Sequence, residues 1–122
     1  PGVMLASAAQ ARLYRHADAC SSHVVALTAT EPAAAGYLSA GRCADLGAQI
    51  AAGGRPETSN LNHGAGQTVT NLATVALDDG KLCIYTKAAT HVIVDLQATL
   101  TPEQSLGLVP VDPVRVHDTR ES

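Results

Sequence analysis

Residues 58–99 read TSNLNHGAGQTVTNLATVALDDGKLCIYTKAATHVIVDLQAT, and their pattern decides the fold class. Along residues 67–77 the odd positions Val69, Asn71, Ala73, Val75 and Leu77 form a face of period two, with Asn71 as its one polar intruder. Residues 91–99 repeat the alternation, with Val92, Val94, Leu96 and Ala98 on one side and His91, Ile93, Asp95 and Gln97 on the other. Successive side chains of a strand point to opposite faces, so this period predicts strands with one face in a core. Asp78-Asp79-Gly80 carries a tight hairpin signal. Residues 81–86 alternate Leu82 and Ile84 against Cys83 and Tyr85, and residues 87–90 turn again. Upstream, residues 58–62 make a short strand, and His63-Gly64-Ala65-Gly66 a turn whose two glycines can take positive φ. Short strands at this spacing, with no helical period between them, predict a meander folded into a sandwich or barrel.

Working outward, residues 23–30 (HVVALTAT) are a β-branched strand that ends at Glu31-Pro32. Val24, Ala26, Thr28 and Thr30 face one side and Val25, Leu27 and Ala29 the other, which predicts a central strand. Residues 32–36 turn into a second strand over 37–40, at a spacing that suits an antiparallel return. Residues 43–57 form a long connection with a helical turn at 44–50, ended by Gly53-Gly54. The first 16 residues read either as a helix over 3–14, with no Pro or Gly inside it, or as a linker running into a strand near 12–14. Thr101-Pro102-Glu103-Gln104 resembles a helix N-terminus. Residues 113–120 are a last strand, with Val114 and Val116 inward and Arg115 and His117 outward.

Composition sets bounds. A chain of 122 residues fits one domain that buries about two-thirds of its unfolded surface. Hydrophobic residues make up 46%, but there is no Phe or Trp and there are three Tyr, so the core is built from Val, Leu, Ile and Ala. The net charge of −3, with no basic stripe and almost no aromatic platform, argues against nucleic acid as partner. No apolar run approaches the roughly 18 residues of a membrane span. No signal peptide is visible; with Pro1-Gly2 standing as a remnant or a cut point, that says nothing about targeting. Cys20, Cys43 and Cys83 fit no zinc spacing. They allow three single-bridge pairings or three buried thiols, and one bridge in an oxidising compartment is the preferred reading.

Several short motifs keep a shared order: Thr28-Ala29-Thr30-Glu31-Pro32 with Gly36-Tyr37-Leu38, Ser59-Asn60-Leu61-Asn62, Ala65-Gly66-Gln67-Thr68-Val69 with Asn71-Leu72, Gly80-Lys81-Leu82-Cys83-Ile84-Tyr85, Thr90-His91-Val92-Ile93 with Asp95, and Pro113 through Asp118-Thr119-Arg120. Together, over about residues 24–120, they resemble a repeat module of secreted and cell-surface proteins of actinobacteria. That resemblance implies a non-catalytic appendage that stands alone, in tandem, or beside hydrolases of extracellular polymers. It also implies a disulfide between Cys43 and Cys83, with Cys20 free or paired elsewhere. In the module an Asp-Thr-Arg strand usually opens each unit, whereas here it stands at the C-terminal end. It either begins a next repeat or closes this domain's own sheet, and the second is expected.

Five histidines, His16, His23, His63, His91 and His117, invite a metal hypothesis. His91 and Asp95 share a strand face, but a rise of ~3.3 Å per residue separates their Cα atoms by about 13 Å. Cys20 near His23 is an incidental thiol–imidazole neighbour, Asp95 lacks a second carboxylate for glycoside hydrolysis, and Gly64-x-Gly66 precedes no helix that would cradle phosphate. No catalytic residue, metal ligand or cofactor is therefore expected. The polar group Thr58, Ser59, Asn60, Asn62 and Asn71 reads either as turn-fixing hydrogen bonds or as a groove for sugar hydroxyls, with Tyr37 or Tyr85 as stacking surface. Asn60, Asn62, His63, Tyr85 and His91 are the candidate ligand contacts, and Asn71, Asp95, Asp118 and Arg120 the structural polar residues, with Asp95 and Arg120 as an expected ion pair.

The expectation is a single all-β domain over 1–122, an antiparallel sandwich of jelly-roll or Greek-key type over 21–120 behind an N-terminal helix or extended arm over 1–20. It is expected to be secreted or in the cell envelope and to bind cell-wall polysaccharide, peptidoglycan or an envelope protein. The alternatives are an accessory domain of a cell-wall hydrolase and a hydrolase with an unrecognised site.

Overall fold

The computed structural model describes residues 3–6, 22–77, 81–100 and 108–121. Cys20, His16, the turn at 78–80 and the helix start at 101–104 lie outside these residues. The described chain is an all-β sandwich with one helix. Its elements are β1 (Val3–Ala6), β2 (Ser22–Thr30), β3 (Gly36–Gly41), α1 (Cys43–Gly53), β4 (Leu61–His63), β5 (Val69–Ala76), β6 (Cys83–Thr86), β7 (His91–Leu100) and β8 (Leu108–Asp118), closed by a 3-10 turn at Thr119–Glu121. One sheet has the order β1-β6-β3-β4 and the other β5-β2-β7-β8, with every pairing antiparallel.

The core lies between the sheets. β2 is central in its sheet, and its odd residues Val25, Leu27 and Ala29 are fully buried while its even residues are half-buried. Val92, Val94 and Leu96 of β7, Ala73 and Val75 of β5, and Val116 of β8 join them, packed with Leu38, Leu61 and Ile84 of the opposite sheet and with Leu82 just before β6. Ile93, on the other face of β7, is also buried. β8 pairs with β7 over most of its length, so the Asp-Thr-Arg strand closes this domain's own sheet.

The connectivity corrects the expected meander. Only the steps β3 to β4 and β7 to β8 stay within one sheet, and the others cross the sandwich. β3 is therefore no antiparallel return against β2; it pairs with β6 and β4 in the opposite sheet. The strands flanking residues 78–80 also do not pair, since β5 and β6 belong to different sheets. A tight-turn sequence fixes a reversal of direction, while the burial of two apolar faces decides which strand becomes the neighbour. The expected helix over 3–14 gives way at Val3–Ala6 to β1, whose four residues pair with β6. Helix propensity is a weak prior that tertiary pairing overrides. The strand expected at 58–62 lies at Leu61–His63 instead.

α1 is longer than the helical turn read at 44–50 and runs to Gly53. Gly54 ends it in the left-handed region (φ 79°), donating its N–H to the Ile50 carbonyl at 2.7 Å. That conformation costs a side-chain-bearing residue about 1 kcal/mol and glycine almost nothing. Leu46 is the buried residue of the helix. Cys43, its first residue, forms a disulfide with Cys83 of β6. α1 thus lies against β6 and β3 on the face turned away from the core, which explains why all four residues of β6 are buried.

Candidate functional site

The expected ligand residues separate into different environments. His63 is 6% exposed, and its Nδ1 lies 3.2 Å from the Gly64 carbonyl oxygen, so it is no surface contact. Tyr85 is also buried, with the ring of Tyr37 packed on it at a centroid distance of 6.0 Å. Of the two candidate stacking rings, Tyr37 is the accessible one. Asn60 is half-buried and committed: its Oδ1 accepts the Ala40 N–H at 2.8 Å, its own N–H reaches the Leu38 carbonyl at 2.8 Å, and its carbonyl accepts from Asn71 Nδ2 at 2.8 Å. Asn62 is exposed and accepts from Ser59 Oγ at 2.9 Å. Ser39 Oγ also donates to the Thr58 carbonyl. The turn-fixing reading therefore describes Asn60 and Asn71: they seat the 58–60 segment against β3 and β5.

His91 and Asp95 do not converge. His91 Nδ1 meets Thr119 Oγ1 at 3.1 Å, and the same hydroxyl accepts the Val92 N–H at 2.9 Å. The expected Asp95–Arg120 pair is replaced by two others. Asp95 bonds Arg115, its cross-strand neighbour on β8. Arg120 lies beyond the strand in the 3-10 turn and folds back on Asp118, with Nε at 3.0 Å from Oδ1 and Nη2 at 2.8 Å from Oδ2. Arg115 Nη1 reaches the same carboxylate at 3.1 Å, and the Arg120 N–H donates to it at 3.0 Å. Strand register decides the partner: Arg115 stands opposite Asp95, and Arg120 has already left the ladder. Among the described residues no group of three or more His, Cys, Asp or Glu is placed to hold a metal ion.

The Asp118 cluster gives a pH prediction. The side-chain hydrogen bond from Arg120 leads in holding this carboxyl well below the usual carboxylate range, against the opposing effect of burial. A depressed folded-state pKa means that the stabilisation is complete above the unfolded value of about 4 and is lost as pH falls below it towards the folded value. Thermal melts should be flat from pH 7 to about 5 and fall below about pH 4. Asp118→Asn should melt lower at neutral pH and show a shallower acid slope. Equal slopes for the two proteins would remove Asp118 as the cause.

A surface recess of about 610 Å³ runs along the C-terminal half of α1 and the 55–59 segment, with Tyr37, Gln49, Arg55, Glu57, Thr58 and Ser59 among its walls. Gln49 Oε1 accepts the Glu57 N–H at 3.0 Å and so ties helix to loop. The groove sets an aromatic ring beside a carboxamide, two hydroxyls, a guanidinium and a carboxylate. Another recess, about 270 Å³, is bounded by Glu31, Ala33, Ala89, Thr90 and His91. Of the polar cluster at 58–62, Thr58 and Ser59 line the groove, while the expected contacts Asn60 and Asn62 do not. Gln49, Arg55 and Glu57 are lining residues not expected from sequence; their available signal is the charged pair flanking Pro56 just past a glycine helix stop. Set against protein-family models, curated proteins and solved structures, the chain has no match.

Proposed function

We propose that this chain is a non-catalytic, extracytoplasmic binding module that holds cell-envelope glycan in the groove between α1 and the 55–59 segment. The observation that carries the reading is the composition of that groove. Sugar rings offer an apolar face to an aromatic side chain and hydroxyls to amides and hydroxyls, and Tyr37, Gln49, Thr58 and Ser59 supply both. Arg55 and Glu57 suit the carboxylates and amines of a wall polymer. The Cys43–Cys83 bridge supports an oxidising compartment, and no helix of the described residues is long and apolar enough to cross a membrane.

The test is co-sedimentation with insoluble peptidoglycan. Tyr37→Ala and Arg55→Ala are each expected to weaken retention about tenfold, the equivalent of ~1.4 kcal/mol, with melting curves recorded to exclude unfolding. Retention unaffected by both substitutions would move the site elsewhere. An absence of retention together with a specific envelope protein co-purifying would replace glycan by protein as the ligand. Release of soluble fragments from the polymer would overturn the non-catalytic reading.

A further inference from the structure

The two edges of the β5-β2-β7-β8 sheet are built differently. β8 carries Pro110 and Pro113, the charges of Asp112 and Arg115, and two shifts in its register against β7. Proline lacks the N–H that an added strand would need, charges oppose addition, and bulges twist an edge away. β5 has none of these devices. It reads VTNLATVA, without charge or proline, and pairs with β2 with no shift in register. Among the described residues it has a hydrogen-bonded strand on one side only. Leu72, near its middle, is 63% exposed, the exposed large hydrophobic side chain of the described chain. A neutral, straight edge with an apolar centre is a template for a further strand.

The sequence of the edge says which strand. Residues 69–75 are nearly palindromic about Leu72: Val69 answers Val75, Thr70 answers Thr74, and only Asn71 and Ala73 differ. Two copies running antiparallel about a two-fold axis at Leu72 set Leu72 against Leu72, Thr70 against Thr74 and Val69 against Val75. Because the axis passes through a residue, outward side chains meet outward ones and core-facing ones meet core-facing ones. Thr70, Leu72 and Thr74 are exposed, while Ala73 and Val75 are buried, so the alternation continues across the junction. Residues 67–77 hold no charge to be set against its own copy. We infer that the β5 edge is a homodimer interface, at which two copies of this chain pair antiparallel about Leu72 and join their sheets into one. The reading is independent of the groove. An interface of one edge strand falls at the small end of specific contacts, so the dimer is weak and concentration-dependent.

Sedimentation equilibrium of the full chain with its disulfide intact should show a monomer–dimer equilibrium. Leu72→Lys sets two ammonium groups against each other and should raise the dissociation constant at least about tenfold. In case that variant folds poorly, a second one reads geometry. In a Cys20→Ser background, Leu72→Cys should be joined to its copy by a short bismaleimide, because opposed cross-strand Cβ atoms lie about 5 Å apart. Glu57→Cys, on an exposed residue of the groove, is the control and should cross-link far more slowly. A wild type that stays monomeric at every concentration overturns the proposal. So does a dimer indifferent to Leu72→Lys, or one in which Leu72→Cys cross-links no faster than Glu57→Cys.

Discussion

Removing the Cys43–Cys83 bridge, by reduction or by the paired changes Cys43→Ala and Cys83→Ala, is expected to lower the free energy of unfolding by about 4 kcal/mol. The two cysteines are 40 residues apart in sequence. In the chain-entropy model, opening a loop of that length frees the unfolded ensemble by about that amount. The native state should suffer locally as well. α1 buries only Leu46 among its own residues, so the bridge at its first residue is a main attachment to β6. The groove uses Gln49 and Gly53 of that helix as wall, and loosening α1 should therefore blur the groove before the sandwich melts. Urea titrations with and without reductant measure the first effect. Amide hydrogen exchange across residues 43–54 measures the second. A loss under about 1 kcal/mol would mean that the unfolded chain is already restrained or that the closed form is strained.

The strands were legible wherever one face is wholly buried and the other is not. β2 shows this most plainly, with Val25, Leu27 and Ala29 at zero exposure between half-exposed neighbours. What sequence could not give was the sheet each strand joins. Asp78-Asp79-Gly80 reads as a hairpin because a turn is a local matter. Crossing from β5 to β6 is decided by two apolar faces that meet only in three dimensions. The same limit explains the candidate site. Asn60 looks like a ligand residue until its hydrogen bonds with Ala40 and Asn71 are seen. Arg120 looks like the partner of Asp95 until the ladder sets Arg115 there.

The two most recognisable motifs prove to hold each other. His91 meets Thr119, Asp95 meets Arg115, and Asp118 collects Arg115 and Arg120. The Thr-His-x-x-x-Asp and Asp-Thr-Arg stretches therefore latch the end of β8 onto β7. Their residue types are explained by that closure.

The same substitution made twice separates core from edge on this scaffold. Leu27→Ala, in the centre of β2, should cost about 3–4 kcal/mol, whereas Leu72→Ala, at the exposed edge of β5, should stay within about 0.5 kcal/mol. Leu27 has no exposed surface and stands between Asn71 of β5 and Val94 of β7. No Phe or Trp is present to swing into a cavity. The surrounding Val side chains, Val25, Val75, Val92 and Val94, are stiff at χ1, so the hole collapses little and the cost lies near the middle of the Leu→Ala range rather than at its low end. The bridge acts mainly on the unfolded chain and Leu27 on the folded one, so the two losses should add. Together they approach 7–8 kcal/mol, comparable with the whole stability of a small domain, about 5–15 kcal/mol. Leu27→Ala with the bridge intact should therefore remain folded at 25 °C by circular dichroism, and the same variant under reductant should be largely unfolded. If Leu27→Ala proves as mild as Leu72→Ala, the two sheets do not close over β2.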